Sequence, residues 1–199
     1  AAGKLQKKGI CRAVFPEFFP FLDVFARRNI VPIDPVPLYR ILAADLTETT
    51  VREQNLSTAS AVIAVCADHL TSQVRQTVTQ LCARCRYVTL SCGDGGEPLR
   101  RKLRREYGAV LVLSNDPQQL ARADVLVRFS PRQDVPEGKN EVRLYAREVL
   151  PSVTLSLREQ EGKMEIPDAV SRDQLFSALS MAGVLRAEDV EITGKARGA

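Results

Sequence analysis

Four short apolar runs, Ala61–Cys66, Val88–Cys92, Val110–Ser114 and Val125–Phe129, punctuate the middle of the chain. Runs of this length without polar alternation fit strands buried on both faces. Between the first two, residues 71–85 set Val74, Val78, Leu81, Cys82 and Cys85 along one helical stripe, with Thr71 or Ser72 as N-cap. A second helix opens at Glu97–Leu99, with Pro98 in its first turn. It turns Leu99, Leu103 and Tyr107 inward and closes at Gly108. A third, short helix fits Pro117–Arg122, capped by Asp116. This alternation predicts an α/β fold, a parallel sheet with helices on both faces. Right-handed crossovers favour the strand order 3-2-1-4, which makes Ala61–Val65 an interior strand.

The flanks have a different texture. Residues 1–59 read as a lead-in that packs on the core. Five of the seven phenylalanines fall within Phe15–Phe25, and Asn29–Pro37 is a proline-fixed connector ahead of helix-forming residues 38–54. The aromatic cluster reads as a hydrophobic plug, or as a self-association surface if the protein leaves it uncovered. The core domain is expected over 60–131, with a polar boundary at Pro131–Asn140. Beyond it, Val142–Tyr145 and Val153–Leu157 alternate as half-exposed strands, and a turn is expected around Glu161–Lys163. Asp173–Ala182 is amphipathic and stops at Gly183, and Val190–Ile192 fits a last strand. Residues 141–199 are therefore expected to form a small α+β element with antiparallel pairing.

Composition narrows the field. The 199 residues are 45% apolar and 26% charged, the profile of a globular protein, and no apolar run approaches the ~18–20 residues that span a bilayer. The start is a poor secretory signal, and the Ala-Ala-Gly opening fits a processed or engineered terminus. A cytoplasmic location without membrane contact is expected. The net charge of +4 is too small to imply nucleic acid as a partner, although Arg100, Arg101, Lys102, Arg104 and Arg105 crowd one helix. No aromatic residues interleave with them to stack on bases, so the cluster reads as a solvated outer face. Cys82 and Cys85 have redox or metal spacing. The chain has one histidine and no second Cys-x-x-Cys, and this pair closes a helix instead of opening one. Buried structural thiols fit better.

Ligand sites in such a sheet lie at the carboxyl ends of its strands. Here those ends read Cys66–His69, Ser91–Gly96, Ser114–Asp116 and Ser130–Pro131. The candidate ligand-binding residues are Asp68, His69, Ser91, Cys92, Gly93, Asp94, Gly95, Gly96, Ser114, Asn115 and Asp116. The span from Asp68 to Asp94, and the segment Asn115–Val127 with Ala123-Asp124 ahead of a strand, are similar to the Rossmann domains of NAD(P)-dependent oxidoreductases over residues 60–131. That resemblance implies the same fold with a degenerate cofactor loop. Family members seat a pyrophosphate on a glycine-rich turn, and this chain has Ala67–Ser72 there, without glycine and with a repelling Asp68.

Three readings follow. The first is a non-catalytic regulatory or interaction module that binds a small metabolite at the strand ends, with no cofactor and no metal. The second is a metal-dependent nuclease, because Asp68, Asp94, Glu97 and Asp116 resemble the acidic cluster of PIN/NYN-type nucleases. The third is an oxidoreductase with a divergent cofactor loop. A catalytic or metal site should bring three of Asp68, His69, Asp94 and Asp116 into one cleft, whereas an interaction module should leave them as scattered caps. No bound metal is expected, because Glu97 turns away as a first-turn helix acid and leaves too few ligands. Cys66 or Cys92 beside His69 would make a thiolate–imidazole pair. The glycine-rich Gly93–Gly96 turn is a candidate anion nest.

Overall fold

The chain was analysed as a computed structural model that describes residues 1–138, 140–145, 153–158, 166–167 and 169–194. It divides into two units, one of residues 1–38 with 155–191 and one of residues 39–154 with 192–199.

In the first unit, α1 (Ala2–Lys7) precedes β1 (Arg12–Ala13), and α2 (Leu22–Ala26) precedes β2 (Val31–Pro32), which pairs parallel to β1. The phenylalanines build their own small core. Phe15 is buried with Ala2 and Ile30, and Phe19, Leu22 and Phe25 pack around them. The rings of Phe15 and Phe25 meet edge to face at 5.2 Å, a favoured arrangement. Phe18 and Phe21 stay outside this core.

The second unit contains the sheet. The helices α3 (Val36–Ile41) and α4 (Ala43–Glu53) are followed by β3 (Val62–Cys66), α5 (Ser72–Arg84), β4 (Tyr87–Ser91), α6 (Gly96–Tyr107), β5 (Leu111–Leu113), α7 (Pro117–Ala121), β6 (Val125–Arg128) and β7 (Glu141–Arg143). Their order is β5-β4-β3-β6-β7, all parallel. The four predicted strands thus take the predicted order, and β3 is interior. Running β3 to β4 to β5 steps the chain one way across the sheet, and α7 returns it the other way. Right-handed crossovers therefore put α7 on the opposite face from α5 and α6. On its own face, α7 packs Leu120 against Ala64, Cys66 and Leu126. On the other, α4 lies on β6 and β7, α5 on β4 and α6 on β5.

Local chemistry explains the helix ends. The Thr71 hydroxyl accepts from the Val74 amide at 3.3 Å and caps α5. Asp116 accepts from the Gln118 amide at 3.0 Å and caps α7 ahead of Pro117. Gly108, at φ 64°, ends α6 in the left-handed region that a side chain disfavours. Tyr107 departs from the expected inward stripe and is exposed, because it sits in the last position before that reversal. Cys85 is buried and Cys82 half-buried, as the α5 stripe predicts.

The strand expected at Val142–Tyr145 corrects the outline of the C-terminal element. It does not join an antiparallel pair but extends the main sheet as β7, parallel to β6. A buried ion network holds it there. Glu141 accepts from the Gly138 amide at 2.6 Å, from Arg128 Nη1 at 3.4 Å and from Arg143 Nε. The antiparallel pair that does form is β8 (Val153–Leu157) with β9 (Val190–Gly194). The Arg158 amide donates to the Asp189 carbonyl and the Thr193 hydroxyl to the Thr154 carbonyl, so the two strands run oppositely. Between them α8 (Arg172–Met181) folds with the N-terminal segment. The Phe15 amide donates to the Gln174 side chain at 2.9 Å, and the Ser177 hydroxyl to the Asp34 carbonyl at 2.8 Å. The turn expected around Glu161–Lys163 lies outside the described residues. No described helix is long and apolar enough to cross a membrane.

Two predictions follow for the sheet. Ile63→Ala, at a fully buried position on β3, should cost about 2–5 kcal/mol in urea unfolding, whereas Val62→Ala on the half-buried first residue should cost far less. Equal losses would contradict the interior placement of β3. Burial pushes the Glu141 carboxyl up, but the Gly138 amide and the guanidinium groups of Arg143 and Arg128 hold it on balance below its ordinary 4.5. Its contribution is therefore fully present above pH 4.5 and lost as the pH falls through the lowered value. Glu141→Gln should be less stable than wild type at pH 7, and the gap should close on acidification. A gap that stays constant down to pH 3 would show that Glu141 is not the titrating group.

Candidate functional site

Parallel register sets the site. Cys66 lies level with Ser91 on one side and with Arg128 on the other, so the loops leaving β3, β4 and β6 emerge at one edge. The ladders continue past the strands. The Ala67 amide donates to the Ser91 carbonyl at 3.0 Å, Phe129 to Cys66 at 2.8 Å and Ser114 to Leu90 at 3.1 Å. At the next level the Gly93 amide donates to the Asp68 carbonyl at 3.2 Å. A Cβ on Gly93 would stand 3.0 Å from that oxygen, so the close approach of the two loops requires glycine.

A chain of side-chain hydrogen bonds crosses these ends. Arg132 Nη1 donates to Ser91 Oγ at 2.9 Å and to the Ala67 carbonyl at 3.4 Å, and Ser91 Oγ donates to Asn115 Oδ1 at 2.7 Å. The Asn115 amide group in turn reaches the Cys92 carbonyl at 3.5 Å. Arg132 is mostly buried and its other edge pairs with Asp134, whose carboxyl it holds below the usual carboxylate range. Arg132 therefore fastens β3, β4 and, through Ser91, the loop after β5. Sequence reasoning missed it. It lies in the polar stretch read as a boundary, and nothing local marks a side chain that reaches back 41 and 65 positions. Beside it Arg128 Nη2 donates to the Arg132 carbonyl at 2.6 Å.

Two clefts open on this edge. The larger, about 370 Å³, lies beyond β4 and β5 and is lined by Leu90, Cys92–Glu97 and Leu113–Asn115. Its rim is the glycine turn that leads into α6. Gly95 has φ 87° and offers no side chain to cap α6, and the Gly96 amide of the first turn bonds the Cys92 sulfur. Gly96 lets the turn close on Leu113, whose Cδ2 would stand 3.0 Å from an added Cβ. The smaller cleft, about 160 Å³, lies at the ends of β3 and β6. Arg40, Ala67, Asp68, His69, Thr71, Val74, Phe129 and Ser130 line it. This is the point at which the chain reverses its direction across the sheet, where open α/β sheets commonly bind ligands.

The predicted residues divide between these clefts. Cys92, Gly93, Asp94, Gly95, Gly96, Ser114 and Asn115 line the larger one, and Ser91 is buried with its hydroxyl bonded to Asn115. Asp68 and His69 line the smaller. Asp116 caps α7, and Glu97 turns away to pair with Arg100 at 2.7 Å. The convergence of three of Asp68, His69, Asp94 and Asp116 in one cleft, which a catalytic or metal site would require, is not what these positions show. Helix capping takes one carboxylate, and the loop geometry separates the other two. Among the described residues no group of three or more His, Cys, Asp and Glu side chains is placed to hold a metal ion.

The thiols are held protonated by their surroundings. Burial pushes Cys66 up to about 11 against the opposing pull of Arg132 and Arg128, and it also raises Cys92. The Cys92 thiol points to the Asp94 carbonyl at 3.8 Å. Burial, with Cys85 adding to it, raises Cys82 to about 12, and burial raises Cys85 itself. All five cysteines are free. Burial thus disfavours the thiolate at Cys66, Cys82, Cys85 and Cys92.

No protein-family model matches the chain, and no curated protein matches it. Among solved structures it is similar to the L-tryptophan dehydrogenase from Nostoc punctiforme, with a TM-score of 0.35 and 14% identity over 84% of this chain and 45% of that one. It is also similar to a putative aspartate carbamoyltransferase from Trypanosoma cruzi, with a TM-score of 0.35 and 13% identity over 72% of this chain and 54% of that one. The chain spans about half the length of each of these two structures.

Proposed function

We propose that this protein is a Rossmann-like binding module that takes a small polar metabolite in the cleft beyond β4 and β5, without catalysing a reaction on it. The observation that carries this reading is the cleft wall itself. Its polar groups are the backbone of Gly93–Gly96, the Ser114 and Asn115 side chains, the Cys92 thiol raised by burial, and the carboxylates of Asp94 and of Glu97, the latter paired with Arg100. These groups orient a ligand by hydrogen bonds and supply no activated nucleophile. The Arg132–Ser91–Asn115 chain keeps that wall rigid, which lowers the entropic cost of binding.

The oxidoreductase reading needs a pyrophosphate seat after β3. The loop there presents Asp68 and His69, and its carbonyls at Asp68 and His69 are drawn to the Gly93 and Thr71 amides. The nuclease reading needs carboxylates gathered round one ion, and the described carboxylates are dispersed. The exposed Phe18 and Phe21, 93% and 59% accessible, support the further proposal that the protein self-associates through its N-terminal segment.

Titration with NAD(H) and NADP(H) by calorimetry should show no micromolar binding, and micromolar affinity would overturn the reading of the loop. A metabolite panel screened by thermal shift should yield hits that protect the wild type. Gly96→Val, which fills the space against Leu113, should abolish that protection. Protection that persists in this variant would place the ligand elsewhere. Sedimentation should show a concentration-dependent dimer that Phe18→Ser weakens. A monomer at ~100 μM would refute self-association at affinities typical of specific contacts.

A further inference from the structure

The smaller cleft stands apart from the site just proposed, and its hydrogen-bond accounts are out of balance. Five carbonyls of its lining are already accepting. Ala67 takes Arg132, Asp68 takes the Gly93 amide, His69 the Thr71 amide, Phe129 an Arg40 N–H and Ser130 the Arg132 amide. The two hydroxyls are also used as acceptors. Ser130 Oγ receives the Asp68 amide at 3.0 Å and Thr71 Oγ1 the Val74 amide at 3.3 Å, which leaves both O–H groups to donate.

Arg40 adds the charge. Its Nε donates to the Leu144 carbonyl at 2.8 Å and its Nη2 to the Phe129 carbonyl at 3.3 Å, so the guanidinium is fixed in orientation by neutral partners. A guanidinium has five N–H groups, and these two bonds leave three unassigned, two of them on the Nη1–Nη2 edge that grips oxyanions in a fork. Among the described residues no carboxylate forms an ion pair with Arg40. A half-buried cation with spare donors, flanked by two donating hydroxyls, lacks an acceptor. The one acidic group in the lining is Asp68, which is exposed and whose charge also acts on Arg132.

We propose that this cleft binds a compact oxyanion, the phosphate or carboxylate group of a small molecule, on the guanidinium of Arg40 with the Ser130 and Thr71 hydroxyls as supporting donors. The cavity of about 160 Å³ has room for such a group. The site lies at the crossover between β3 and β6, and it needs no glycine loop because a side chain replaces the backbone amides as the donor.

The test is a titration of the whole 15N-labelled chain with inorganic phosphate, sulfate and malonate at fixed ionic strength. The expected result is saturable shifts at the amides of Asp68, His69, Thr71 and Ser130 and at Arg40 Nε. Saturation by phosphate and sulfate would assign the site to phosphoryl groups, and saturation by malonate to carboxylates. Arg40→Gln should weaken binding at least about tenfold. Asp68→Asn, a surface substitution, should tighten it by removing the opposing charge. Shifts that stay linear with salt, or that fall on the arginine face of α6, overturn the proposal, as does an unchanged affinity in Arg40→Gln. If Arg40→Gln does not fold, Asp68→Asn decides, and binding that is unchanged or weaker in that variant overturns the site.

Discussion

Burial of β3 on both faces and along both edges is the constraint from which the rest of the second unit follows. Its four buried residues, Ile63–Cys66, have to satisfy every backbone group against neighbours, because no water reaches them. They do so with β4 on one side and β6 on the other. Alternation sends Ala64 and Cys66 towards α7, and Ile63 and Val65 towards the opposite helical layer. Both partners run parallel to β3, so all three strands end at one level. The loops that follow are brought together whatever their sequence. The candidate site is thus a consequence of the ladder before it is a consequence of any side chain.

Convergence of loops creates an electrostatic problem, and arginine is the solution this chain uses. Arg128, Arg132 and Arg40 come from β6, the loop after it and α3, and all three place a guanidinium among the strand ends. Buried guanidinium groups are costly unless their N–H groups are bonded. Arg128 and Arg132 each have a carboxylate, Glu141 and Asp134 respectively, and each also bonds a carbonyl oxygen. Arg128 Nε is the only buried side-chain polar atom among the described residues without a partner. Arg40 has carbonyls alone, and its charge is the one left open. The planar fork of arginine suits this work better than a lysine ammonium, since one group spans several oxygens in fixed directions.

The architecture was legible in the sequence because it rests on local signals. Apolar runs of strand length, the cap residues Thr71 and Asp116, and the closing Gly108 each act within a few residues of themselves. The order of four strands then followed from handedness. Tyr107 was misread because helical periodicity says nothing of where the chain turns away. The fifth strand was misplaced for another reason. Glu141–Arg143 alternates like a half-exposed hairpin strand, and its bonds to β6, among them the ion pair of Glu141 with Arg128, tie it to the parallel sheet. The candidate site was half legible. Strand ends located its residues, but Arg40 reaches the Phe129 carbonyl across 89 positions and Arg132 the Ser91 hydroxyl across 41, and no periodicity encodes such a reach.

The same bookkeeping separates binding from catalysis at this edge. General acid–base work needs a titrating group free to exchange a proton with a ligand, and nucleophilic work needs an activated thiol or hydroxyl. Three of the acids near these strand ends are engaged elsewhere. Asp116 caps a helix, Glu97 pairs with Arg100 and Asp134 holds Arg132. The Ser91 hydroxyl is locked between Arg132 and Asn115, and the thiols near it are kept protonated by burial. What the fold leaves over is a set of donors in fixed directions, at Arg40, Ser130 and Thr71 in one cleft and along the α6 turn in the other. These fixed donors, with Asp68 and His69 beside them in one cleft and Asp94 in the other, are what the binding reading proposed above rests on.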